Sequence, residues 1–282
     1  MNKIWVGIYG ILPKELKHFV GQSEIFRGIR YLLLKRHGVF KETNTYIDRV
    51  YGNTRVRFYF FASFNTAMKA KERGVESTLL RHSIELCSRF RNRQNDLTVL
   101  DIGANFGYLS LVWGQTVAKQ GTVYAFEPNP HVFVSFHKSV VQNNMESIIK
   151  VQNTAVGSQI GSVTLYLNNT TSNVMQNVGT MTKSKMDSIT IDMTSVDSFI
   201  KINELSRCDL IKIDVDGIEL DILKGCITTI AEFKPIFIVE TNDDLRIIDF
   251  FMERDYRILD MELKNYVAGT HLPINIFCVP KD

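Results

Sequence analysis

The spacing of apolar and polar residues changes along this chain of 282 residues. From residue 97 onward, short apolar runs alternate with stretches at helical spacing. Strands are predicted over 97–102, 121–126, 148–152, 210–214 and 236–240, with a final pair near 256–260 and 275–279. Helices are predicted between them, over 108–118, 130–143, 218–229 and 245–254. Strands alternating with helices imply an α/β fold with a parallel sheet covered on both faces. Ligands on such sheets sit at the carboxyl ends of the strands.

Before residue 97 the pattern is different. Ile25, Phe26, Ile29, Leu32 and Leu33 fall at helical spacing within 23–36, and Val56, Phe58 and Phe60 share one face of a strand over 55–61. Leu79, Leu80, Ile84 and Leu86 form the stripe of a helix over 76–90. So short a segment cannot bury this apolar surface alone, so residues 1–75 are expected to be a cap or oligomerisation arm beside a domain of 76–282. The segment 163–196 breaks the alternation with a polar stretch between strand-like runs at 163–167 and 188–193, as an insertion overhanging the ligand edge would.

Composition narrows the class. With 45% hydrophobic residues and 33 Lys+Arg against 30 Asp+Glu, the chain can bury a sizeable core, and its apolar runs fall far short of the roughly 20 residues of a bilayer span. The N-terminus lacks a sustained apolar signal region and reads as mature sequence. Cys87, Cys208, Cys226 and Cys278 are widely spaced, which suits core thiols in the cytoplasm. The net charge of +3 hides an asymmetry: residues 1–98 carry 18 basic and 8 acidic side chains, a balance of +10, and residues 99–282 carry 15 and 22, a balance of −7. An anionic partner is therefore to be sought at the N-terminal third.

The sharpest chemical signal is Asp101-Ile102-Gly103-Ala104-Asn105-Phe106-Gly107, a strand breaking into a glycine turn that opens a helix. Glycines there let the backbone turn tightly and approach a ligand, and the first helical N–H groups suit a polar or anionic group. Asn105 stands where a dinucleotide fingerprint has its middle glycine, which disfavours a nicotinamide-dependent oxidoreductase. Glu127, at the tip of the second strand about 20 residues on, suits ribose hydroxyls, and Asp101 would flank the same pocket.

Together with Ala125-Phe126-Glu127-Pro128-Asn129-Pro130, Ala155-Val156-Gly157 and Asp209-Leu210-Ile211-Lys212-Ile213-Asp214-Val215-Asp216-Gly217-Ile218-Glu219, this turn resembles the FkbM-type S-adenosylmethionine-dependent methyltransferases over about residues 74–280. The resemblance implies a class I methyltransferase (Rossmann-like) fold, a seven-stranded sheet with an antiparallel last strand, carrying an N-terminal cap of helix and strand. It also implies O-methylation of a hydroxyl on a glycan sugar or secondary metabolite. Gly103, Asn105 and Phe106 would line the methionine part of the cofactor, with Ala104 and Pro128 beside them in the same motifs, and Asn153 to Ala155 would pass the adenine. Asp216 replaces the Glu usual before Gly in the fourth-strand motif.

An alcohol acceptor must lose a proton, so a base is needed within hydrogen-bond reach. Asp214, Asp216, Glu240 and His271 lie at strand ends on the ligand side. Lys212, two residues before Asp214 and on the same strand face, is expected to neutralise a buried carboxylate. Asp214, Glu240, Asn242 and Asp243 offer oxygen ligands to a divalent cation, but metal dependence is not favoured. The remaining alternative, a nucleic-acid-binding protein using the basic N-terminal third, lacks a base-modification motif and is not favoured either. A small-molecule or glycan hydroxyl acceptor, anionic or neutral, is the expected partner, and a homo-oligomer is compatible with the N-terminal arm.

Overall fold

The computed structural model describes residues 35–36, 39–91, 95–167, 173–175 and 187–281. Two compact units are present, Met1–Lys41 and Glu42–Asp282. In the first, β1 (Lys35–Arg36) pairs antiparallel with β2 (Val39–Phe40). The helix expected over 23–36 otherwise lies outside the described residues; its last two positions are strand because they pair with β2.

The second unit opens with a hairpin of β3 (Glu42–Tyr51) and β4 (Thr54–Ser63), in register from Glu42 opposite Ser63 to Tyr51 opposite Thr54. Its two-residue turn places Gly52 at φ 57°, a left-handed conformation that glycine adopts without strain. Ile47, Tyr51, Val56, Phe58, Phe60 and Ala62 are buried on one face, and each large one contributes about 1.5–3 kcal/mol by leaving water. The open edge of β4 is closed by side chains. The Arg57 N–H donates to Gln115 Oε1 at 3.0 Å while Gln115 Nε2 donates to the Arg57 carbonyl at 3.1 Å. Asn143 does the same for Tyr59, at 2.8 Å both ways, and the Phe61 N–H donates to Ser139 Oγ at 3.0 Å. Two amides and a hydroxyl thus occupy the place of a neighbouring strand, satisfying backbone groups that would otherwise cost about 1–3 kcal/mol each if buried unpaired.

Helix α1 (Phe64–Arg73) follows directly, with Ser63 Oγ accepting from the Thr66 N–H at its start. Helix α2 (Ser77–Phe90) follows that, entered through Glu76 in a left-handed conformation, φ 44°.

The rest is the expected alternation: β5 (Thr98–Ile102), α3 (Tyr108–Trp113), β6 (Thr122–Phe126), α4 (Pro130–Gln142) and β7 (Ile149–Gln152). An insertion of β8 (Ala155–Val156), β9 (Gly161–Leu167), β10 (Asn173–Met175) and β11 (Asp187–Thr194) precedes α5 (Val196–Ile202). The chain then runs through β12 (Leu210–Ile213), α6 (Glu219–Lys224), α7 (Ile227–Phe233), β13 (Ile236–Glu240), α8 (Arg246–Met252), β14 (Tyr256–Leu259) and β15 (Asn275–Pro280). Among the described residues the main sheet has seven strands in the order β14-β15-β13-β12-β5-β6-β7. Its pairings are parallel except those of β15, which runs antiparallel to both β13 and β14. This is the sheet of the class I methyltransferase fold. The order reverses between β5 and β12, so the crevice at their carboxyl ends is the topological switch point.

Two differences from the sequence expectation have local causes. The helix expected over 218–229 is broken into α6 and α7 at Gly225, where a Cβ would stand 2.6 Å from the Gly157 carbonyl oxygen. The insertion's two strand-like runs are both strands, β9 antiparallel to β11, but β11 also pairs parallel with β8, giving a second sheet ordered β10-β9-β11-β8.

Candidate active site

A cavity of about 310 Å³ opens at the switch point. Its floor is the glycine turn after β5. The Gly103 and Ala104 N–H groups donate to the Phe126 carbonyl at 3.1 and 3.0 Å, tying the turn to the end of β6. Gly103 (φ 78°) could not carry a side chain, since a Cβ would lie 1.9 Å from the Asp214 carbonyl oxygen. Gly107 (φ 77°) packs against the Phe136 ring, 2.0 Å from a hypothetical Cβ. Both glycines are therefore demanded by protein packing, where the sequence suggested room for a ligand.

Glu127 leaves β6 and is 5% exposed. Its Oε2 accepts from the Asn105 N–H at 2.9 Å and its Oε1 from the Asn129 N–H at 2.8 Å. Burial pushes its carboxyl up to about 7, against the pull of those two N–H donors. Asn129 in turn caps α4, accepting from the His131 N–H at 3.0 Å ahead of Pro130 at the first helical position. Glu127 thus clamps the glycine turn to the α4 entry while lining the cavity.

Asp101 is fully buried at the end of β5. Its Oδ2 accepts from Ser110 Oγ at 2.5 Å, while its Oδ1 takes no hydrogen bond and has Lys212 Nζ at 3.7 Å. Burial raises its pKa; the lysine and the serine oppose the rise. Lys212, also buried, donates to the Gly103 carbonyl at 3.1 Å and pairs with Asp214 Oδ2 at 3.0 Å. Although burial alone would neutralise it, the carboxylates of Asp214, Asp101 and Glu76 hold it as an ammonium, with its pKa raised. The expected role of Lys212 as a neutralising partner is what these contacts describe.

Asp214 follows β12. Burial works to raise its pKa, but the charge and hydrogen bond of Lys212 override it, so the carboxyl sits below its usual range. Glu240, at the end of β13, shares a hydrogen bond with Asp214; burial and then the Asp214 charge push it up to about 7. Below about 7 the pair therefore holds one proton, carried by Glu240, and above it none. Asp216 is exposed at the rim in a left-handed conformation (φ 58°), raised by burial and by Asp214. Glu219 fixes this loop, its Oε1 accepting from the Val215 and Gly217 N–H groups at 3.2 and 3.0 Å and from Asn242 Nδ2 at 2.8 Å.

The cavity walls include Asp101, Gly103, Ala104, Asn105, Phe106, Glu127, Pro128, Asp214 and Asp216. Four other sequence candidates stand outside them. Asn153 braces the floor from behind, Nδ2 donating to the Glu127 and Pro128 carbonyls at 2.9 and 3.0 Å. Ala155 is buried in β8 opposite Met193. Glu240 reaches the site through Asp214, and His271 is exposed in the loop before β15. Among the described residues no three His, Cys, Asp or Glu side chains gather to hold a metal ion, and the Asn242 amide is directed to Glu219.

Leu165 of β9, fully buried, brings to the cavity the insertion that the sequence led us to expect over the ligand edge. From the N-terminal side come Phe60 of β4, Thr66 and Lys69 of α1, and Val75 and Glu76 before α2. Tyr108 joins the two sides: its hydroxyl lies 2.9 Å from that of Tyr51, and the rings of Phe58 and Phe60 meet its own edge-on, each at 5.3 Å. Only the alternation of β4 hinted at these residues in the sequence.

Comparison with known proteins gives one family. Residues 101–258 match the model of the "Methyltransferase FkbM domain". The chain is similar to "Methyltransferase 1" of Beauveria bassiana, 25% identical over 159 residues, which cover 50% of this chain and 63% of that protein. It is similar also to "Hexuronic acid methyltransferase AglP" of Haloferax volcanii, 26% identical over 132 residues, 47% of this chain and 51% of that protein. The chain thus spans between half and two thirds of the length of these relatives. Among solved structures it is similar to the methyltransferase FkbM of Methylobacillus flagellatus, with TM-score 0.44 and 19% identity over 66% of this chain and 44% of that one.

Proposed function

The chain belongs to the FkbM-domain family of methyltransferases, and from that premise we propose that it transfers methyl from S-adenosylmethionine to a hydroxyl of a sugar or related metabolite. The observation that carries the reading is the switch-point cavity, with Asp101 Oδ1, ion-paired to Lys212 but accepting no hydrogen bond, in one wall and the Asp214–Glu240 pair in another. A buried acceptor oxygen without a donor costs about 1–3 kcal/mol, and the α-ammonium of the cofactor's methionine part would satisfy it. Glu127, braced by Asn153, would take the ribose, and Asn105 and Phe106 would flank the methionine part. Leu165 and Pro128 offer apolar surface to the adenine.

Bound S-adenosylmethionine supplies a methyl on a sulfonium, which an alcohol oxygen takes as the carbon–sulfur bond breaks and its electron pair returns to sulfur. The chain's part is to orient that oxygen and receive its proton. Asp214 is kept ionised by Lys212 and faces the cavity; Glu240, titrating near 7, passes the proton on towards solvent. The hexuronic acid methyltransferase among the relatives supports a sugar acceptor. Residues 76–282 are the methyltransferase domain in this reading, and residues 1–75 an extension from which Phe60, Thr66, Lys69 and Val75 line the cavity.

Calorimetry with S-adenosylmethionine, S-adenosylhomocysteine and NAD tests the proposal. Binding of the first two is expected; a protein that binds NAD and ignores both methionine derivatives at millimolar concentration is not this enzyme.

A further inference from the structure

The cavity holds five carboxylates in its walls, those of Glu76, Asp101, Glu127, Asp214 and Asp216, against two lysines. Lys212 is committed, buried between Asp214, Asp101 and the Gly103 carbonyl. Lys69 is not. It is exposed on α1 and makes no hydrogen bond or ion pair among the described residues; the Glu76 carboxylate feels its charge across the cavity. Its backbone is nevertheless well fixed. Ala67 and Ala70 on the inner face of α1 are fully buried, Ser63 caps the helix start, and the Arg49 side chain donates to the Ala70 and Lys71 carbonyls at 3.3 and 3.0 Å. A rigid helix therefore presents one flexible ammonium to the cavity.

An acceptor carrying a negative charge would be repelled by Asp214 and Asp216 unless a cation met it at the wall. A neutral acceptor needs no such cation. Phosphate recognition calls for several donors or a bidentate guanidinium, and one ammonium on a compact stem matches a single charge better. Resting on the methyltransferase reading above, we infer that Lys69 is a specificity-determining residue that pairs with a carboxylate of the acceptor, making the substrate class a hydroxy acid such as a uronic acid sugar.

The test uses matched acid and neutral probes: the methyl glycosides of glucuronic, galacturonic and mannuronic acid against those of glucose, galactose and mannose. Binding to the full chain loaded with S-adenosylhomocysteine is measured by calorimetry, and turnover by labelled methyl transfer. The wild type is expected to favour an acidic member over its neutral twin. In Lys69→Gln that preference falls about five-fold, the upper range for a part-exposed ion pair, and Lys69→Arg restores most of it, with S-adenosylmethionine affinity and melting temperature unchanged. Binding of no acidic probe, or a preference untouched in Lys69→Gln, overturns the inference. So does a loss of S-adenosylmethionine affinity in that variant, which would place Lys69 on the cofactor. A wild type that binds no S-adenosylmethionine instead defeats the methyltransferase reading itself, so the two failures are distinct.

Discussion

The carboxylates of this site differ in what holds them, and that decides what each variant should do. Glu127 has both oxygens occupied by backbone N–H groups of the turns it joins. Removing it strands two donors at about 1–3 kcal/mol each. Glu127→Ala is accordingly expected to lower thermal stability and to weaken S-adenosylmethionine binding at least ten-fold, both readable in a ligand-titrated melt. An unaltered affinity would take Glu127 out of the cofactor site. Glu240 gives the pH dependence. With its carboxyl near 7, it holds a proton in acid and is free to accept one above neutrality, so kcat/KM should climb as pH rises through about 7 and then level. Glu240→Gln should flatten that limb, and a limb that persists unchanged in the variant assigns the titration to Glu127, whose carboxyl also sits near 7. Asp101, Asp214 and Glu127 were legible in the sequence because each closes an apolar strand. Glu76 and Lys69 were not, since no local pattern tells that a left-handed residue before α2 or a side chain of α1 lines the cavity at the end of β5, far along the chain.

At the scale of elements, the strands and helices after residue 97 could be read because a parallel sheet writes continuous apolar runs and its helices an amphipathic stripe. The miss upstream has a plain cause. Strand β3 alternates, but its sequence, ETNTYIDRVY, is too polar to stand out until its aromatic partner β4 covers it. Helix α1 buries only Ala67 and Ala70, and its one sequence signal is the Ser63–Thr66 cap. The glycine turn was found for an incomplete reason, since Gly103 and Gly107 give way to the Asp214 backbone and the Phe136 ring. It follows that Gly103→Ala should fail to fold, not merely bind less: the clash is with backbone and the φ is positive. Soluble, cooperative unfolding of this variant in urea would show that the turn can shift.

For the whole molecule, the charge asymmetry takes on a location. The acidic 99–282 segment carries four of the cavity's five carboxylates, and the basic N-terminal third brings Lys69 and Glu76 to its lining. The described hairpin and α1 belong to the same compact unit as the sheet, whose boundary falls between Lys41 and Glu42. A chain starting at Glu42 is therefore expected to fold and bind S-adenosylmethionine. One starting at Glu76 loses Tyr51, Phe58 and Phe60 from around Tyr108 and should be insoluble or bind at least ten-fold more weakly. Equal affinity of the two truncations, by calorimetry, would deny the hairpin any part in the site. Among the described residues no helix is long and apolar enough to cross a membrane.

The side-chain seal along β4 has a consequence for how this protein could fail. Backbone pairing survives any single substitution but proline, whereas a seal made of Gln115, Asn143 and Ser139 can be lifted one residue at a time. Each loss uncovers a stretch of bare strand edge beside Tyr46 and Tyr59, both already exposed, and an uncovered edge is a template for a second chain. Substitutions at these three polar positions, far from any chemistry, would be expected to surface first as aggregation.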